Sequence, residues 1–289
     1  MEDHVTVGVD GSPESRAAAR WAAHEAVLRQ VPLRLVHAVD WPLDPVFPGL
    51  GRQDVDRWAD QALTEATQEL RRRHPPLEIT TRCLAARPPA ALAAEAAGAG
   101  LLVLGSRGLG GLAGFLVGSV AMSTVAATDT PVVLVRIADA PDGPPVASGA
   151  EVVVGIDIHE SCDPVLAFAF EEAERRACGL RAVHAWKLPP AYTYVPFFDP
   201  ENERDIGRSV THMVDDMLLP WRRKFPGVEV GHGVFMGSAG DHLVRASQNA
   251  ALVVVGRRVR HSALGAHLGT VAHAVLHHAA APVAVVSHV

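Results

Sequence analysis

The stretch Gly105 to Ser119 reads GSRGLGGLAGFLVGS, with six glycines in fifteen residues, directly after the apolar run LLVL. Glycine loses more conformational freedom on folding than any other residue, so ordering this stretch is costly. One reading is a loose surface loop. The other is an anion cradle, in which missing side chains let backbone N–H groups close on a phosphate. Gly105 ends the apolar run, where a side chain would block a ligand, and Gly108 permits a tight turn. Gly118 and Ser119 open a helical pattern. Their first turn, with Val120, would aim free N–H groups and the positive helix end at phosphates, and the Ser119 hydroxyl adds a donor. Arg107 is a cation within the loop that could pair with a phosphate; a solvated surface arginine is an equal reading. The intervening LGGLAGFLV would fold back as a flap.

The elements around the stretch decide where it sits. HVTVGVD is a short β-branched run, followed by a helical pattern with Ser12 as N-cap and Pro13 at its first position. Then come LRLVHAV (strand), DVDRWADQALTEATQELRRRH (helix), LEITTRCL (strand), PPAALAAEAAG (helix ending at Gly98) and LLVLG (strand). After the glycines follow SVAMSTVAATD (helix) and PVVLVR (strand). Short apolar strands alternating with helices predict a parallel, doubly wound α/β sheet. In such sheets ligands bind beyond the carboxyl ends of the strands, at the point where strand order reverses. The glycine stretch leaves the fourth strand there and Asp10 leaves the first, so the anion cradle is favoured.

The chain is written twice. VGVDGS from Val7 recurs as VGIDIH from Val154, and LRLVHA from Leu33 as LRAVHA from Leu180, both 147 residues on. LVLG from Leu102 recurs as VVVG from Val253, Gly118-Ser119 as Gly269-Thr270, and PVVLV from Pro131 as PVAVV from Pro282, all 151 residues on. These matches predict two domains, 1–137 and 151–289, each a five-stranded α/β sandwich. They are joined by a linker at 138–150 that is rich in Pro, Gly and Ala.

Three phosphate motifs compete. A Walker A loop needs a lysine, and the only lysines are Lys187 and Lys224, so that reading is excluded. Gly108, Gly110 and Ala113 fit G-x-G-x-x-A, but that fingerprint belongs on the first strand with an acidic residue closing the second. The third reading, G-x2-G-x9-G-[ST], is filled at Gly105, Gly108, Gly118 and Ser119. It resembles the ATP-binding signature of the universal stress protein family, and VGVDGS, the strand ending VHA and the closing PVVLV agree. The resemblance covers the chain as two tandem copies. It implies a Rossmann-like fold of the adenine nucleotide alpha hydrolase type and ATP as ligand, with Mg2+ as a companion ion. It also implies that Asp10 and the backbone of Ala38 contact the adenosine part.

The second copy keeps Asp157, Gly256, Gly269 and Thr270 as candidate contacts but has Val259 where Gly108 stood, and DIH for DGS. A valine resists positive φ and would crowd the turn, so Val259→Gly is expected to create or strengthen binding there. Arg257, Arg258 and Arg260 could compensate. Occupancy of this copy stays open on sequence grounds.

Several features are weighed and set aside. A net charge of −6 gives no basic surface for nucleic acid. No secretory leader or apolar run of roughly 20 residues is present, so a cytoplasmic protein without a membrane partner is expected. Three cysteines without a C-x-x-C pair predict neither a disulfide framework nor a zinc knuckle. His273 and His277 stand four apart on the last helical pattern, but no carboxylate accompanies them, and no metal site is expected. His37 and His184, at equivalent strand ends, read as hydrogen-bonded structural histidines. RRRH at 71–74 and RRK at 222–224 complement helix C-termini. The aromatic loop at 188–200 reads as packing over its own domain, or else as a nucleotide cover or partner surface.

The expected function is a nucleotide-dependent regulator or sensor in a stress response. A slow ATPase or phosphotransferase is the alternative, disfavoured by the lack of a lysine, general base or paired carboxylates, and a ligand-free interaction scaffold is a third. The last strand of each copy reads as a sheet edge that must be covered or paired. It predicts pseudo-two-fold pairing of the domains, with a homodimer and an unidentified protein as further partners.

Overall fold

The structure, a computed structural model, describes residues 4–39, 51–106, 117–136, 150–187, 200–259 and 268–289. The chain divides into two compact units, one holding the described residues up to 136 and the other those from 150 onward. Each alternates strand and helix around a parallel sheet.

In the first unit, β1 (Val5–Gly8), β2 (Leu33–Val39), β3 (Ile79–Ala85), β4 (Leu101–Gly105) and β5 (Val132–Val135) stand in the order β3-β2-β1-β4-β5. All pairings are parallel. The strand order therefore reverses between β1 and β4. Helices α1 (Pro13–Arg29), α2 (Arg52–Arg73), α3 (Pro88–Ala96) and α4 (Ser119–Ala127) connect them. Leu101 to Leu104 are all buried, as a central parallel strand covered on both faces must be.

The local causes are legible. Ser12 caps α1, its hydroxyl accepting from the Ser15 amide at 3.1 Å, and Pro13 takes the first helical position. Six buried alanines between Ala17 and Ala26 bring α1 close against β1 and β4. Helix α2 buries Val55, Ala59, Ala62, Leu63, Ala66 and Leu70, one face at helical spacing. Helix α3 stops at Ala96, two residues before the glycine expected to end it.

The second unit repeats the plan: β6 (Glu151–Gly155), α5 (Asp163–Arg175), β7 (Leu180–Trp186), α6 (Pro200–Lys224), β8 (Val230–Met236), α7 (Ala239–Ala246), β9 (Ala250–Arg258), α8 (Thr270–His278) and β10 (Val283–His288). The order is β10-β9-β6-β7-β8, again parallel. One buried ion pair is common to both units. Glu25, 1% exposed, holds Arg29 at 2.6 Å, and its counterpart Glu172, 0% exposed, holds Arg175 and Arg176. The basic clusters at 71–73 and 222–224 do fall in the last turns of α2 and α6.

Candidate functional site

The site is built at the carboxyl ends of β1 and β4. Val5 N–H donates to Pro32 O at 3.0 Å and Val9 N–H to Val36 O at 2.8 Å, whereas Leu33 N–H donates to Glu78 O on the β3 side. Even-numbered residues of β2 thus turn their backbone groups toward β1. Ala38 is the next of these, and it lies past the last registered pair, Gly8 with Val36. Its N–H and C=O therefore face the space that β1 has vacated.

The same argument applies on the other side. Leu102 N–H and Ser106 N–H donate to Pro131 O and Val135 O on the β5 side, at 3.0 and 2.8 Å. Gly105 must then turn its backbone toward β1, and its position lies beyond the last β1–β4 pair, Val7 with Val103. Ala38 and Gly105 so flank one crevice at the reversal of strand order, where open α/β sheets take their ligands.

Asp10 leaves β1 at the crevice, half-buried. Its Oδ1 accepts from the Ser12 amide at 2.9 Å and the Ser12 hydroxyl at 2.5 Å, while its own amide donates to Ser15 Oγ at 3.3 Å. Between them Gly11 has φ +81°, a conformation that side chains disfavour. One carboxylate oxygen is thus spent on shaping the β1–α1 turn. His37, 2% exposed, donates Nδ1–H to Val9 O at 2.7 Å. Its ring meets Trp58 edge-on with centroids 5.1 Å apart. The histidine is structural, as expected, and it grips the peptide that leads into Asp10.

The β4 side of the crevice is bounded by the start of α4. Gly118 is its N-cap, with φ −67° and ψ 151°, and Gly118 N–H donates to Ser106 O at 2.8 Å. That bond ties the start of α4 to the end of β4. The amides of Ser119 and Val120 follow in the first turn, where no preceding helical carbonyl can serve them. The Ser119 side chain is exposed, and Thr124 Oγ1 donates to Val120 O at 2.8 Å. Arg107, Gly108 and the flap lie outside the described residues, as do the linker at 138–149 and the aromatic loop at 188–199.

The second unit matches the turn but not the crevice. His184 donates Nδ1–H to Ile156 O at 3.0 Å, the Asp157 amide donates to Cys162 Sγ at 3.4 Å, and Asp157 Oδ1 accepts from the His159 amide at 3.0 Å. Gly269 caps α8 with φ −61° and ψ 155°, close to the geometry at Gly118, and Thr270 follows as the first residue of that helix. Gly256, however, is covered by His288. Expected at 259 was a crowded turn. Instead β9 runs on to Arg258, and Val259 N–H donates to His288 O at 2.8 Å without a positive φ. Sequence reasoning missed His288, Glu160 and Ser15; the last was visible only as a serine three residues inside the cap.

The family model described as the universal stress protein family matches residues 1–136 and 150–287, both units over nearly their whole length. This chain belongs to the universal stress protein family. Universal stress protein Rv2005c of Mycobacterium tuberculosis is 35% identical over 97% of this chain and 96% of its own. Rv2623 of the same organism is 34% identical over 97% and 95%. Among solved structures, a universal stress protein from Archaeoglobus fulgidus matches 99% of both chains with a TM-score of 0.65 at 16% identity, a likeness of fold. This universal stress protein carries its domain in tandem. Among its described residues no group of three or more His, Cys, Asp or Glu is arranged to hold a metal ion, and no helix is long and apolar enough to cross a membrane. His273 and His277 lie with ring centroids 4.3 Å apart.

Proposed function

We propose that the first unit binds an adenine nucleotide, ATP foremost with Mg2+ as its companion ion, and that the protein acts as a nucleotide-dependent regulator. The observation that carries this reading is the convergence of Ala38, Gly105, Asp10 and the N-terminus of α4 on one crevice. Ala38 offers a backbone donor and acceptor side by side, a fit for the edge of a base. Asp10 stands beside it for the adenosine part. The triphosphate would run toward Gly118, Ser119 and Val120, where amides and the helix dipole favour negative charge. Arg107 and Gly108 complete the loop in this reading.

The geometry favours holding the nucleotide over splitting it. Asp10 is the crevice carboxylate among the described residues, and its Oδ1 already accepts two bonds from Ser12. A single carboxylate, with no lysine or second carboxylate beside it among the described residues of the crevice, lacks the parts on which phosphoryl transfer relies. Denaturing the purified protein and identifying any released nucleotide tests the reading, followed by calorimetry with ATP, ADP, AMP and cyclic AMP. Release of an adenine nucleotide and a saturable heat are expected. A protein that is empty as purified and silent to all four overturns it.

A further inference from the structure

We propose that the second copy's cradle is closed by the protein's own residues, and that His288 and Glu160 decide which copy takes nucleotide. The inference rests on the nucleotide reading of the first copy. A glycine ends the fourth strand of the first copy, and its counterpart Gly256 lies two residues before the end of β9; the missing side chain leaves room for a ligand. At Gly256 that room is taken. A Cβ built there would lie 2.9 Å from both Cδ2 and Nε2 of His288 and 3.3 Å from Val165 Cγ2. The imidazole is 7% exposed, so it lies inside the unit, not over its surface. Register puts it there: β9 and β10 pair from Val253 with Val283 through Arg258 with His288, starting at the pair equivalent to the first of β4 with β5 and running two pairs further at the carboxyl end.

Glu160 supplies the second element. The connection from β6 to α5 spans residues 156–162, against 9–12 for β1 to α1, three residues more. The extra length carries Glu160 to the end of β9, where its carboxylate pairs with Arg258 and lies 4.0 Å from His288 Nε2. Arg258 matches Arg107 in the repeat, the cation of the first copy's loop. An internal carboxylate thus occupies the arginine that a phosphate would seek. An arriving triphosphate would have to break that pair and then face the freed carboxylate, a repulsive element of the kind that discriminates between ligands.

Photolabelling of the full chain with 8-azido-ATP, followed by peptide mapping, decides the matter. Wild type should be labelled in residues 1–136 and at least tenfold less in 150–289. Glu160→Gln with His288→Ala should raise second-half labelling at least tenfold and leave the first half within twofold. Circular dichroism checks the fold, and Glu160→Gln alone, isosteric at the surface, serves if the double variant unfolds. Val259→Gly alone should add nothing. Equal labelling of both halves in wild type overturns the proposal, as do folded variants with unchanged second-half labelling, or an equal rise from Val259→Gly. An unlabelled first half in every protein instead defeats the nucleotide reading of the first copy, and the second-half response of the variants still judges His288 and Glu160.

Discussion

His37 holds the carbonyl of Val9 at 2.7 Å, and one repeat later His184 holds the carbonyl of Ile156 at 3.0 Å. In each case the next residue is the aspartate that leaves the first strand of its copy. The bond fixes the tautomer, because a carbonyl can only accept. His37→Phe keeps a ring beside Trp58 and removes the donor, leaving a buried carbonyl unserved at a cost of about 1–3 kcal/mol. We expect the first unit to melt lower and ATP affinity to fall about fivefold by calorimetry. An unchanged affinity in a destabilised protein would confine the histidine to the scaffold.

Gly118→Ala places a methyl group where the backbone should meet phosphate, and alanine is a poor N-cap. Its dihedral angles are open to alanine, so the fold should survive. ATP affinity should fall at least tenfold, about 1.4 kcal/mol, in equilibrium dialysis. Full affinity in the folded variant would remove Gly118 from the site.

Glu172 lies wholly buried between two arginines. Glu172→Ala leaves their charges without a buried partner, a change that costs about 3–5 kcal/mol. Asp54→Ala, which breaks an exposed pair with Arg57 and a bond from the Gly51 amide, should cost far less, because solvent screens exposed pairs. Chemical denaturation of both variants measures the contrast, and equal losses would contradict the assigned burial.

Burial holds the His288 imidazole below its ordinary pKa of 6.5, and Arg258 and Arg257 push the same way. The folded chain therefore binds this proton less readily than the unfolded one. The associated stability is full above about 6.5 and is lost as pH falls through the lowered value. Acid should weaken the second unit, and His288→Gln should flatten that slope in denaturation curves taken between pH 7.5 and 5.

Much of this was legible from residues alone. The repeat offsets predicted two α/β units, and Ser12-Pro13 and Gly118-Ser119 predicted two helix starts that the structure bears out. Register was not legible. His288 reaches Gly256 only because β10 pairs with β9 to its last residue, and nothing in PVAVVSHV states how far pairing extends. Nor was the longer β6–α5 connection visible, because Asp157 aligns with Asp10 while the helix that follows begins late. Val259 was read as a strained turn because a glycine stood there in the other copy; the chain instead stays extended and bonds to His288 O.

The imidazole seated on Gly256 has a consequence for dosage. Were a receptive copy and a closed copy separate polypeptides, their proportion would drift with the expression of each. Fused in one translation product, they are made in equal number at every level of synthesis. On the proposed reading, a cell that raises this protein raises its nucleotide capacity by one site per chain, and the closed copy accompanies it as an invariant companion.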